Sequence, residues 1–138
     1  MLDDVLAANE RYAEDFAHGG LDGTPKRALA VLTCMDSRLD PLPMLGLAPG
    51  DAVVLRNAGA RITDDVLESV QLSARSLGIA RVLVVAHRDC RAAAAWSDEL
   101  AADPAERARD GAERVAAATG LETAGVVYDE ATGRLTSV

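Results

Sequence analysis

Four short apolar runs recur along the chain: "ALAVLTC" at 28–34, "AVVLR" at 52–56, "ARVLVVAH" at 80–87 and "AGVVYD" at 124–129. They are rich in valine and lack a strict in–out alternation, so they read as strands buried on both faces. Helical stretches lie between them, and strands that alternate with helices specify an α/β sheet, mainly parallel, with helices on both faces. In such sheets ligands bind beyond the carboxyl ends of the strands, so the residues there are the first to inspect for chemistry.

The intervening segments fill out this plan. Residues 3–17 set Val5, Leu6, Tyr12, Ala13 and Phe16 on one helical stripe, with Asp3 and Asp4 at the favourable N-terminal end and "HGG" as a stop. The proline-broken stretch 41–50 reads as loop or a short helical turn, and "NAGA" (57–60) as a turn. Thr63 can cap a helix running to Leu77, with Asp64 and Asp65 in its first turn. After Cys90 an Ala-rich helical region is interrupted near 103–106 and resumes to Thr119; "EATG" is a turn and "RLTSV" a short edge strand. At 138 residues the chain is expected to form one domain, 1–138. Aromatic residues are only 3% of the composition, so Ala, Val, Leu and Ile must fill the core.

Charge and cysteine usage narrow the setting. The net charge is −8 and no Lys/Arg cluster stands out, which argues against nucleic acid or an anionic membrane as partner. No apolar stretch approaches the roughly 20 residues that cross a bilayer, and the acidic start "MLDDVLAANE" lacks the basic flank of a secretory signal. The expected location is therefore cytoplasmic, where two cysteines serve as thiols or metal ligands rather than a disulfide.

Those cysteines sit at informative places. Cys34 ends the first strand; His87 ends the third, with Cys90 one turn later. If the two strands are neighbours, all three side chains converge at one sheet edge. Two thiolates and an imidazole suit Zn²⁺, and three protein ligands leave a fourth tetrahedral position for water, the mark of a catalytic site. The spacing alone also fits two small buried thiols and a satisfied histidine. Asp36 and Arg38 follow Cys34 at alternate positions, so an extended segment sends all three the same way. A carboxylate there can accept a hydrogen bond from water at the metal or ligate the ion, and an arginine can hold that carboxylate bidentately. A solvated Asp–Arg surface pair satisfies the same pattern.

"CMDSR" followed about fifty residues later by "HRDC" resembles the β-class carbonic anhydrases, whose pattern is C-x-D-x-R … H-x-x-C. The likeness extends to "RNAGA" with "TDDVLESV" behind it and to "GVVYDEATGRL" near the end, nearly the whole chain in order, and is nearest to the small bacterial type. The resemblance implies a four-stranded parallel sheet, order 2-1-3-4, with an added antiparallel edge strand. It implies an obligate homodimer or dimer of dimers, with the N-terminal helix (1–20) packed on the partner. It also implies a zinc lyase that hydrates CO₂ reversibly to bicarbonate through zinc-bound hydroxide. Carried onto this chain, Cys34, His87 and Cys90 would bind zinc, while Asp36 and Arg38 would form a catalytic dyad. Asp36 is then a possible fourth ligand in a closed state. Gly59, Arg56 and Arg91 are the pocket candidates. With two thiolates cancelling the metal's charge, activity is expected to rise above neutral pH, and a flat rate profile from pH 6 to 9 would contradict that.

This chain also departs from the family pattern. The family continues H-x-x-C with Gly, where Arg91 stands here, and the segment 91–123 is short and Ala-rich. Some relatives place a regulatory Trp three residues before the first Cys; Val31 occupies that position, so no such bicarbonate regulation is expected. Other conspicuous residues read as structural: His18 as a helix-end cation and Trp96 as packing or interface; Asp89, between two ligands, can support the site or be a solvated turn acid, the safer reading. Two alternatives to CO₂ hydration remain. One is CS₂ or COS hydrolysis at the same zinc; the other is a zinc-stabilised dimeric binding protein with little catalysis.

Overall fold

The computed structural model describes residues 2–138. In chain order the elements are α1 (Asp3–Glu14), β1 (Leu29–Cys34), α2 (Pro41–Met44), β2 (Ala52–Asn57), a 3₁₀ turn (Ala58–Ala60) and α3 (Asp64–Leu77). There follow β3 (Arg81–His87), α4 (Arg91–Ala95), α5 (Pro104–Thr119), β4 (Glu122–Asp129) and β5 (Arg134–Ser137). The five strands form one sheet in the order β2-β1-β3-β4-β5. The first three pairings are parallel, and β5 joins β4 antiparallel. Both the expected 2-1-3-4 order and the antiparallel edge strand are present.

β1 is buried along almost its whole length on both faces, as its unbroken apolar run requires. Ala30, Leu32, Val82 and Val84 meet Val66 and Val70 of α3 and Ala112 and Val115 of α5 in one core cluster. Thr63 caps α3, its Oγ1 accepting from the Val66 N–H at 3.3 Å, and Asp103 does the same for α5 with Ala105 at 3.0 Å. α5 lies hard against β4: a Cβ on Gly125 would come within 2.6 Å of the Ala108 carbonyl oxygen. Small residues at that crossing let the helix sit close enough for an alanine- and valine-built core to fill.

α1 departs from the expected stripe. It ends at Glu14, so Phe16 lies past the helix, its ring tilted against Tyr12 at 5.6 Å and edge-to-face with His18 at 5.8 Å between centroids. No residue of α1 is buried within this chain. Two acids at its end, Glu14 and Asp15, oppose the helix dipole there, and Gly19 and Gly20 follow close behind.

Candidate metal centre

The register of the central strands builds the site. β1 and β3 are hydrogen-bonded neighbours from Leu29↔Arg81 to Thr33↔Val85, so Cys34 and His87 emerge side by side at the carboxyl edge. Thr33 Oγ1 donates to the Val85 carbonyl at 3.2 Å and ties the two strands just before that edge. Cys90 N-caps α4, where its Sγ accepts from the Ala93 N–H at 3.4 Å. Donor atoms of Cys34, His87 and Cys90 lie within 4.8 Å of one another, and all three residues are buried.

The chemistry of this donor set fits a tetrahedral ion. The two sulfurs are 3.9 Å apart. Two thiolates bound to one zinc at about 2.3 Å would be separated by about 3.8 Å, the edge of the tetrahedron. His87 is only 1% exposed, its Nδ1 is paired, and its Nε2 has no hydrogen-bond partner. A buried imidazole nitrogen left without a partner costs on the order of 1–3 kcal/mol, so it calls for an unseen ligand. Burial pushes the Cys90 thiol above its ordinary value, and the nearby Cys34 sulfur adds to that. A cation between the sulfurs would reverse the effect by favouring thiolate.

Asp36 and Arg38 stand at the mouth. Asp36 Oδ1 accepts from the Arg38 backbone N–H at 3.0 Å and from Nε at 2.9 Å, and Oδ2 accepts from Nη2 at 2.8 Å. The guanidinium therefore holds the Asp36 carboxyl well below the usual carboxylate range. The Asp36 carboxylate is turned to Arg38 and stands outside the cluster of three donors. A cleft of about 530 Å³ opens there, lined by Cys34, Asp36, Arg38 and Arg91 with the apolar Met35 and Ala92.

Each remaining pocket candidate has a definite place. Gly59 sits at φ 80°, donates its N–H to Cys34 Sγ at 3.3 Å, and would meet Leu100 Cδ1 at 2.6 Å if it carried a Cβ. The left-handed backbone favours glycine, and a side chain there would have to push Leu100 aside. Arg56 binds backbone, donating to the carbonyls of Cys34 at 3.0 Å and Asp36 at 2.7 Å, and so holds the loop that carries the acid. Arg91 is exposed on the cleft wall at the first position of α4. Trp96 packs under the Arg61 guanidinium, 4.0 Å from ring centroid to Cζ.

Two further acids join the site. Asp89 is exposed, as a turn acid is, and also supports the site by accepting from Arg38 Nη1 at 3.1 Å. Its backbone carbonyl accepts from Arg38 Nη2 at 2.8 Å, because the β3–α4 loop folds back over the segment after β1. Glu130 was passed over inside the "EATG" turn. Its carboxylate lies 3.2 Å from His87 Nδ1 and 3.5 Å from Arg38 Nη2. The only local signal was an acid just past a strand expected beside β3.

Comparison with known proteins follows the same line. Residues 29–117, more than half of the chain, match the sequence profile described as carbonic anhydrase. The chain belongs to the β-carbonic anhydrase family. It is similar to beta-carbonic anhydrase 1 of Mycobacterium tuberculosis, with 37% identity over 162 aligned positions that span 100% of this chain and 98% of that protein. The alignment is 24 positions longer than the 138 residues of this chain (162 against 138), so it carries that many gaps on this side. The carbonic anhydrase of Streptococcus mutans superposes with a TM-score of 0.87 at 32% identity, covering 99% of this chain and 96% of that one. A carbon disulfide hydrolase of Acidianus sp. is 38% identical over 91 residues, which is 65% of this chain and 45% of that protein.

Proposed function

We propose that this β-carbonic anhydrase holds zinc through Cys34, His87 and Cys90 and hydrates CO₂ reversibly to bicarbonate. The buried, unpartnered His87 Nε2 beside two correctly spaced sulfurs carries the reading. Bound there, zinc would supply the Lewis acidity that makes a nucleophile of water near neutral pH.

The chain's own groups divide the remaining work. Asp36, kept ionised by Arg38, can only accept hydrogen bonds, so it selects and orients species that carry an O–H beside the cleft. Arg38 keeps that carboxylate in one geometry and frees it from protonation over the working pH range. Met35 and Ala92 give the cleft an apolar wall suited to a neutral, nonpolar substrate. Arg91 faces the same cleft and favours an anionic product on its way out.

The test is stopped-flow CO₂ hydration by zinc-loaded protein beside Asp36→Asn. Turnover by the parent and a large loss in the variant at equal zinc content support the reading; a zinc-loaded parent with no hydration overturns it. The relationship to carbon disulfide hydrolases favours a second reading in which CS₂ or COS is the substrate. Sulfide released from either, without CO₂ hydration, would select it.

The proposal extends to assembly and setting. A 12-residue helix that buries nothing is too short to persist by itself in water, so α1 needs a surface to pack against. Leu2, Val5, Leu6 and Tyr12 are all more than half exposed, and a second copy of the chain as a homodimer, or a dimer of dimers, would cover them. A cytoplasmic location accords with two free cysteines, and no helix among the described residues is long and apolar enough to cross a membrane.

A further inference from the structure

We propose that Glu130 is the positioning residue that fixes the His87 imidazole for the metal and joins it to the Asp36–Arg38 pair. The inference rests on the zinc reading above and goes beyond it, because Glu130 belongs to no part of the motif that pointed to the site.

Parallel pairing sets His87 opposite Tyr128, so the chain two residues past Tyr128 turns directly beneath the ligand loop. Glu130 is buried there, with its side chain 8% exposed. Oε1 accepts from the Asp89 N–H at 2.7 Å and lies 3.2 Å from His87 Nδ1; Oε2 accepts from the Arg88 N–H at 3.2 Å. Both of its oxygens take backbone N–H groups and the Arg38 guanidinium lies beside them, so every neighbour is a donor and the carboxylate acts as acceptor. An ionised carboxylate only accepts, so the proton of the neutral imidazole must sit on Nδ1. The lone pair is then on Nε2, the atom aimed at the two sulfurs and otherwise without a partner. One side chain thus selects the tautomer, sets the ring plane and raises the basicity of the metal-binding nitrogen.

The same Oε1 lies 3.5 Å from Arg38 Nη2. Arg38 therefore serves three acids: Asp36, Asp89 and Glu130. If Asp36 turns away, Arg38 stays anchored to the ligand loop through the other two. Glu130 thereby connects the group that would hold the metal with the group that orients substrate.

Zinc-loaded, ¹⁵N-labelled wild-type protein, Glu130→Gln and Glu130→Leu test this by two readouts that do not depend on turnover. The first is the His87 Nδ1–H proton resonance; the second is zinc affinity by chelator competition. Glu130→Gln keeps an acceptor but loses the charge, so the resonance should move upfield and zinc should bind at least about tenfold more weakly. Glu130→Leu should lose the resonance to solvent exchange and weaken zinc towards about a hundredfold. An unmoved resonance in Glu130→Gln overturns the proposal whatever the affinity, because a turn-capping acid would leave the imidazole proton untouched. Should Glu130→Leu fail to fold, Glu130→Gln carries the decision. A folded wild-type chain that retains no zinc sinks the zinc reading and this proposal together, whereas tight zinc binding in all three proteins sinks only the role of Glu130.

Discussion

The carboxyl edge of the central strands and the N-terminal helix are built on opposite plans. At the edge, Cys34, His87 and Cys90 are buried, and backbone or side-chain groups from β2, the 3₁₀ turn, α4, α5 and the turn after β4 hold them. Arg107 alone, reaching from α5, donates to the His87 carbonyl at 2.8 Å and to those of Ala101 and Ala102, also at 2.8 Å. α1 buries nothing and contributes apolar surface that this chain leaves uncovered. The difference teaches that the geometry of the three donors is the product of one chain's core, while the apolar face of α1 is left outside that core.

That contrast can be broken, and the strongest blow falls on the donor set. Cys90→Ser should lose zinc on dialysis and lower CO₂ hydration by roughly a thousandfold or more, since a weak hydroxyl replaces a thiolate. Metal analysis beside stopped-flow rates checks it, and a variant that keeps both zinc and rate would refute the assignment. In the core under the site, Leu32→Ala should cost about 2–5 kcal/mol, read as a lower denaturant midpoint at unchanged slope, because Leu32 is wholly buried. At the mouth, Asp36→Asn should cut turnover by about a hundredfold while leaving zinc content alone. A drop in zinc content of equal size would make Asp36 a structural support instead.

Changes at α1 should sharpen the comparison from its other side. Leu6→Asp should shift the protein towards monomer by light scattering yet alter the unfolding free energy of a monomer by less than about 0.5 kcal/mol. Unchanged mass would mean that α1 is not the contact. The smallest effect concerns acid. Because Asp36 is depressed in the folded state, its pairing stabilises above the unfolded value of about 3.9 and is lost as pH falls through the lower folded value. Acid unfolding below about pH 4 should therefore be slightly less steep in Asp36→Asn than in the parent, and equal slopes would show that the exposed pair contributes nothing.

Local pattern was enough wherever the governing physics is local. Continuous valine-rich runs marked β1 and β3, Thr63 marked the start of α3, and a strand-end cysteine, a strand-end histidine and a cysteine three residues on marked the edge where three donors converge. Phe16 was misplaced onto α1 because periodicity continues past the point where the helix stops. Asp89 could be read either way and Glu130 not at all as a member of the site, since a turn acid looks the same whether water or a distant side chain receives it. Gly59 was legible as a turn, but that Leu100 presses on it depends on a loop 41 residues downstream, and that its N–H meets Cys34 Sγ on a strand end 25 residues upstream.

The amino-acid order by itself therefore determined the strands, their sequence of helices and the three donor types, because these follow from burial period and side-chain chemistry along a few consecutive residues. Only the tertiary structure decided that Arg38 is shared among three acids and that His87 is backed by a carboxylate. Those contacts come from the parallel register of β1, β3 and β4, which brings segments some forty to fifty residues apart to within hydrogen-bonding distance.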